Sequence, residues 1–101
     1  MGTRLELQSK LEEILGSRQV YYQPPETVKM EYPAIVYFRD KIRTDNANDR
    51  VYLKTNKYSI IVISKRPEDS LIDRILGLSY CVHERAYKSD NLYHDVFVLY
   101  F

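Results

Sequence analysis

Three runs of the chain are apolar at almost every position: Ala34-Ile35-Val36-Tyr37-Phe38, Ile60-Ile61-Val62-Ile63 and Val96-Phe97-Val98-Leu99-Tyr100-Phe101. Their β-branched and aromatic residues favour a pleated, packed surface. Successive side chains of a strand point to opposite faces, so a half-solvated antiparallel sheet alternates apolar and polar residues. These runs do not alternate. Val36 and Phe38 mark one face while Ile35 and Tyr37 mark the other, and Ile60 with Val62 opposes Ile61 with Ile63. Such strands build a sheet that needs cover on both sides.

Two helices are available as cover. Leu7, Leu11, Ile14 and Leu15 recur at i, i+4, i+7 and i+8, which predicts a helix over residues 3–15 with one buried stripe. Thr3 and Glu6 have the spacing of a capping box, Glu6 and Lys10 form an i, i+4 ion pair, and Gly16 suits the left-handed stop. A second helix is announced by Arg66-Pro67-Glu68-Asp69, with Pro67 at its first position. Its stripe is Leu71, Ile72, Ile75 and Leu76, and Gly77 ends it.

The remaining elements are strands. Val20-Tyr21-Tyr22 is a short one, stopped by Gln23-Pro24-Pro25. Pro33 opens the next, from Ala34 to about Ile42, and a third spans about Lys57 to Ser64. Two more, Tyr80–Tyr87 and Leu92–Phe101, meet at a Ser89-Asp90-Asn91 turn and read as a hairpin. The expected fold is a single α+β domain over 1–101, in the order α-β-β-β-α-β-β, with a mainly antiparallel sheet of about five strands and two helices. Two short helices cover one sheet face more easily than two. The second face then calls for a neighbouring subunit, unless the helices take opposite faces or the sheet curls onto itself.

The stretch RDKIRTDNANDRVY, residues 39–52, separates two of the best strands. It holds four basic and three acidic residues, with no Gly and no Pro. A tight hairpin connection takes two to five residues, often Asn-Gly or Asp-Gly. Arg39, Lys41, Arg43 and Arg50 could meet phosphates, and Tyr37 and Tyr52 could stack on bases, but Asp40, Asp45 and Asp49 cancel much of that field. Mixed signs fit a protein contact, where charge sets register and partner choice, or a plain solvated tip. The candidate contact residues are Arg39, Asp40, Arg43, Asp45, Asn46, Asp49, Arg50 and Tyr52.

Composition narrows the chemistry further. The net charge of +1 over 101 residues gives no bulk attraction to nucleic acid. A single cysteine, Cys81, forms no intrachain disulfide, which suits a reducing compartment, and it reads as a small buried hydrophobe. No signal peptide is expected at MGTRLELQSK, and no apolar run approaches the ~18 residues of a membrane span. Ten tyrosines fit either interface enrichment or simple strand propensity. His83 and His94 fall on the two hairpin strands and could approach one another, yet their spacing makes a poor metal site and they read as solvent-edge residues. The three glycines, Gly2, Gly16 and Gly77, exclude a P-loop or dinucleotide fingerprint. No carboxylate pair is placed for acid–base work. An enzyme, a cofactor and a metal are all unexpected.

Four ordered segments resemble a known family: VYYQPPETVKMEYPAIVYFRD (20–40), NDRVYLKTNKY (48–58), IIVISKRPEDSLIDRIL (60–76) and SDNLYHDVFVLYF (89–101). Together they cover nearly the whole chain and look like the short tail terminator, or tail completion, proteins of long-tailed bacteriophages and prophages of Gram-positive bacteria. The resemblance implies a sheet flanked by helices and a usually six-fold ring at the head-proximal end of the tail. It implies partners too: copies of the chain, the tail tube protein and the head–tail connector, with no specific nucleic acid and no membrane. The role implied is to stop tube polymerisation and permit head joining, without catalytic residues or a cofactor. A head-side connector of the same joint, or a small nucleic-acid-binding protein, are the alternatives.

Overall fold

In a computed structural model the protein is described over residues 3–24, 29–47, 50–66, 69–78 and 80–101. Those residues form α1 (Arg4–Leu15), β1 (Val20–Tyr22), β2 (Ala34–Ala47), β3 (Arg50–Ser64), α2 (Asp69–Leu76), β4 (Cys81–Ser89) and β5 (Leu92–Tyr100). The α+β class and the expected element order are both observed. Five strands make one sheet in the order β1-β2-β3-β5-β4, antiparallel except where β1 runs parallel to β2.

Local chemistry sets the ends of α1. Thr3 is the N-cap, its hydroxyl accepting from the Glu6 N–H at 3.2 Å. Gly16 closes the helix in the left-handed region at φ 79°, its own N–H donating to the Glu12 carbonyl. The expected Pro67 start of α2 lies outside the described residues. At its other end the Gly77 N–H donates to the carbonyls of Asp73 and Arg74.

The β4–β5 turn is as tight as expected. Ser89 pairs with Leu92, and Asp90 and Asn91 between them both have positive φ. Positive φ at both central positions is the mark of the turn whose twist matches paired strands, and Asn and Asp tolerate it best after glycine.

Both helices lie on the same face of the sheet. Leu7 and Leu11 of α1 and Leu71 and Ile75 of α2 join one core with Ile35, Tyr37, Tyr58, Ile60, Val62, Phe97 and Leu99. The register explains the membership: Ile35 pairs with Val62, Tyr37 with Ile60, Ile60 with Phe97 and Tyr58 with Leu99, so these residues share a face. The expectation that two short helices cover a single face is thereby met. The alternative with helices on opposite faces is not adopted.

Side-chain polar groups fasten α1 over the sheet. The Tyr37 hydroxyl donates to Gln8 Oε1 and accepts from Arg4 Nη1, while Gln8 Nε2 donates to the Val20 carbonyl at 3.0 Å. The Arg4 guanidinium lies 4.4 Å from the centre of the Tyr22 ring, which in turn packs against Tyr37 at 5.0 Å. Arg74 Nη1 of α2 donates to the Ile14 carbonyl of α1 at 2.9 Å and joins the helices.

Candidate interaction surface

The charged stretch is strand, not loop. β2 continues to Ala47 and β3 begins at Arg50, so both extend well past the expected ends near Ile42 and Lys57. Ala47 pairs with Arg50, leaving a two-residue connection, Asn48-Asp49, outside the described residues. The sequence hid this because its strand signal is burial, and a polar ribbon has no apolar alternation to display. Fourteen and fifteen residues at ~3.3 Å each reach about 46–50 Å. That length accounts for the long dimension of a molecule measuring 51 × 28 × 23 Å.

Two irregularities shape this hairpin. The register shifts between Arg39 and Lys41, leaving Asp40 unmatched, and again between Asp45 and Asn46, leaving Tyr52 unmatched across from them. Bulges raise local twist and bend a strand pair. The first sits at the root of the projecting part. Of the candidate contact residues, Arg39 and Asp40 are exposed at that root. Arg43, Asp45, Asn46, Arg50 and Tyr52 lie along the ribbon backbone, and Asp49 falls outside the described residues.

Support for the ribbon ends early. β1 pairs with β2 only from Ile35 to Tyr37. β5 follows β3 from Ser64 down to Lys57, and Asn56 and Phe101 then exchange backbone hydrogen bonds. From Thr55 outward β3 pairs with β2 alone. The Asn56 Oδ1 at this root is buried with no hydrogen-bond partner among the described residues.

The sheet face turned away from the helices is the second feature. It carries Val36, Phe38, Ile61, Ile63, Val96 and Val98, paired across strands as Val36 with Ile61, Ile61 with Val96 and Val98 with Val82. Val36, Phe38, Ile61, Ile63 and Val98 are half-buried, and at the margin Val82 is 59 % and Tyr100 40 % exposed. Neither helix contributes cover, since the residues of both belong to the opposite side.

The histidines do not meet. His83 pairs with Phe97 on the helix face, where its Nε2 lies 3.1 Å from Asp95 Oδ1. His94 is on the opposite face, stacked on Tyr87 with ring centres 4.7 Å apart. An odd separation along β5 sends them to opposite sides. Among the described residues no group of three or more His, Cys, Asp or Glu could hold a metal ion. Cys81 is half-buried against the core, as read from the sequence, and burial pushes its thiol pKa up. Burial likewise raises the pKa of Tyr37 and Tyr58, the Arg4 guanidinium offsetting part of the rise at Tyr37.

An open cleft of about 360 Å³ lies between the helices, lined by Lys10, Glu13, Ile14, Arg74 and Leu78. No helix among the described residues is long and apolar enough to cross a membrane. Comparison with models of known protein families and with curated proteins finds no match to this chain. The two features of this surface are a long ribbon rich in charged residues and an apolar sheet face.

Proposed function

We propose that this protein is a tail terminator of a long-tailed bacteriophage or prophage. It forms a ring, usually of six copies in such proteins, on the head-proximal end of the tail tube. There it stops addition of tube protein and presents the surface that the head connector joins. The observation that carries the reading is the ordered resemblance of four segments spanning residues 20–101, on a chain whose fold is a sheet flanked by helices. Two physical features support it. A ring subunit needs surfaces that only neighbours complete, and this chain has an apolar sheet face and a ribbon outside its own sheet. The role requires contacts rather than catalysis, so no cofactor, metal or catalytic residue enters it.

The proposed site of action is the virion tail after assembly in the bacterial cytoplasm. The ribbon residues Arg43, Asp45, Asp49 and Arg50 would choose the correct partner, since like-sign encounters are penalised and matched ones steered. Deleting the reading frame from the parent phage and imaging the lysate tests the whole reading. Overlong, headless tails beside full heads are expected. Headless tails of normal length would move the protein to the head side of the joint, and intact infectious particles would overturn both assignments.

A further inference from the structure

The geometry points to a specific contact: the outer β2–β3 ribbon of one copy lies across the helix-free sheet face of the next, joining copies head to tail. This contact deepens the ring reading and rests on it for its setting.

Each half of the contact lacks something the other supplies. A two-stranded ribbon is marginally stable in water and gains from packing on a third surface. Beyond Asn56 this ribbon has no third strand. The sheet face, around Val36, Phe38, Ile61, Ile63 and Val98, is apolar and free of helices. Five strands at ~4.8 Å and eight paired residues at ~3.4 Å give this face a footprint of order 500 Å², over which Val96 is buried and its apolar neighbours are half-buried. The sizes also match. Five paired positions from Arg43–Thr55 to Ala47–Arg50, at ~3.4 Å each, run about 17 Å, close to the ~19 Å across five strands.

Charge selects a second copy and sets its orientation. Residues 41–57 hold five basic and two acidic side chains, a surplus of three. The whole chain is +1, so the remainder carries −2. Two ribbons repel each other, and a ribbon is attracted to the body of another copy. The bulge at Asp40 lets the ribbon leave the plane of its own sheet. Ribbon and face are different surfaces of one chain, so the contact is heterologous. Such contacts close into rings or run on as filaments, whereas a face-to-face pair would stop at two.

Cysteine trapping tests this on the purified full chain. In a Cys81→Ala background, Asp45→Cys marks the ribbon and Val98→Cys marks the face. The two variants are mixed near millimolar concentration under mild oxidation, after circular dichroism shows that each is folded. Thr55→Cys and Ile61→Cys replace any variant that is not. Disulfide-linked pairs between the two variants should dominate, a chain carrying both substitutions should give a ladder of multimers, and added salt should reduce the yield. Dominant ribbon–ribbon or face–face pairs overturn the proposal, as does the absence of any interchain bond between folded variants. Leu5→Cys, on exposed α1 surface, should stay unlinked. Failure here with overlong tails in the deletion phage would remove this contact and leave the terminator reading standing. Normal tails with a ladder would do the reverse.

Discussion

Asn56 and Phe101 exchange two backbone hydrogen bonds, at 3.4 and 3.0 Å, and with this pair the support of the β2–β3 hairpin by β5 ends. Every residue from Arg50 to Thr55 pairs, where it pairs, only with β2. The outer ribbon is thus a two-stranded extension of the five-stranded sheet.

Replacing Arg43, Asp45, Asp49 and Arg50 together with serine should therefore leave stability within about 1 kcal/mol of the parent, because the ribbon beyond Asn56 pairs with no third strand. The same variant should fail to complement a deletion phage. Urea melts and plaque counts check the two halves, and a variant that unfolds would mean that the fold depends on these ribbon side chains.

The two sheet faces should respond differently to substitution. Phe97 is fully buried under the helices, so Phe97→Ala should cost about 3–5 kcal/mol of stability. Its neighbour Val98 is half-buried on the other face, and Val98→Thr should cost less than about 1 kcal/mol. Denaturant titrations of the two variants give the comparison directly. Equal losses would mean that the helix-free face is already covered within the monomer.

Gly16 provides a test of backbone strain separate from packing. Its φ is 79°, and a Cβ built there meets no atom within 4 Å. Gly16→Ala should therefore destabilise by about 1–2 kcal/mol through the left-handed conformation alone. Gly16→Asn should recover part of that loss, because Asn tolerates the region. Thermal melts of both variants would separate conformation from crowding.

Alkaline pH should weaken the fold through the buried phenols. Burial raises the pKa of Tyr37 and Tyr58 above the ordinary value of 10.0. The folded state thus prefers the protonated phenol more than the unfolded chain does. The stability this confers is complete below the unfolded value and is lost as pH rises through the raised folded value. Urea midpoints measured from about pH 8 to 11 should fall above about pH 10, and the fall should be shallower in Tyr37→Phe than in the parent. An unchanged slope would sink the assignment to Tyr37.

Much of the fold was legible in the sequence because its signals are local. Thr3 and Gly16 bound α1 by satisfying backbone groups within one turn. Asp90 and Asn91 turn β4 into β5 because those residue types accept positive φ. The apolar runs at 34–38, 60–63 and 96–101 announced strands, and their lack of alternation announced a second apolar face. That residues 39–52 project as a long hairpin was anticipated only through the family resemblance, since local patterns at residues such as Arg43, Thr44 and Lys54 do not mark a strand whose conformation comes from cross-strand pairing. Nor could local patterns show that β1 would run parallel to β2, or that His83 and His94 would part to opposite faces. Those outcomes depend on register between residues far apart in the chain. The sequence by itself determined which segments are helix, which are core strand and that both faces of the sheet are apolar, because propensity, capping and turn chemistry act over a few residues. Tertiary structure alone decided that both helices cover the face of Tyr37 and Phe97, leaving that of Val36 and Val98 without them, because long-range pairing sets which residues share a side.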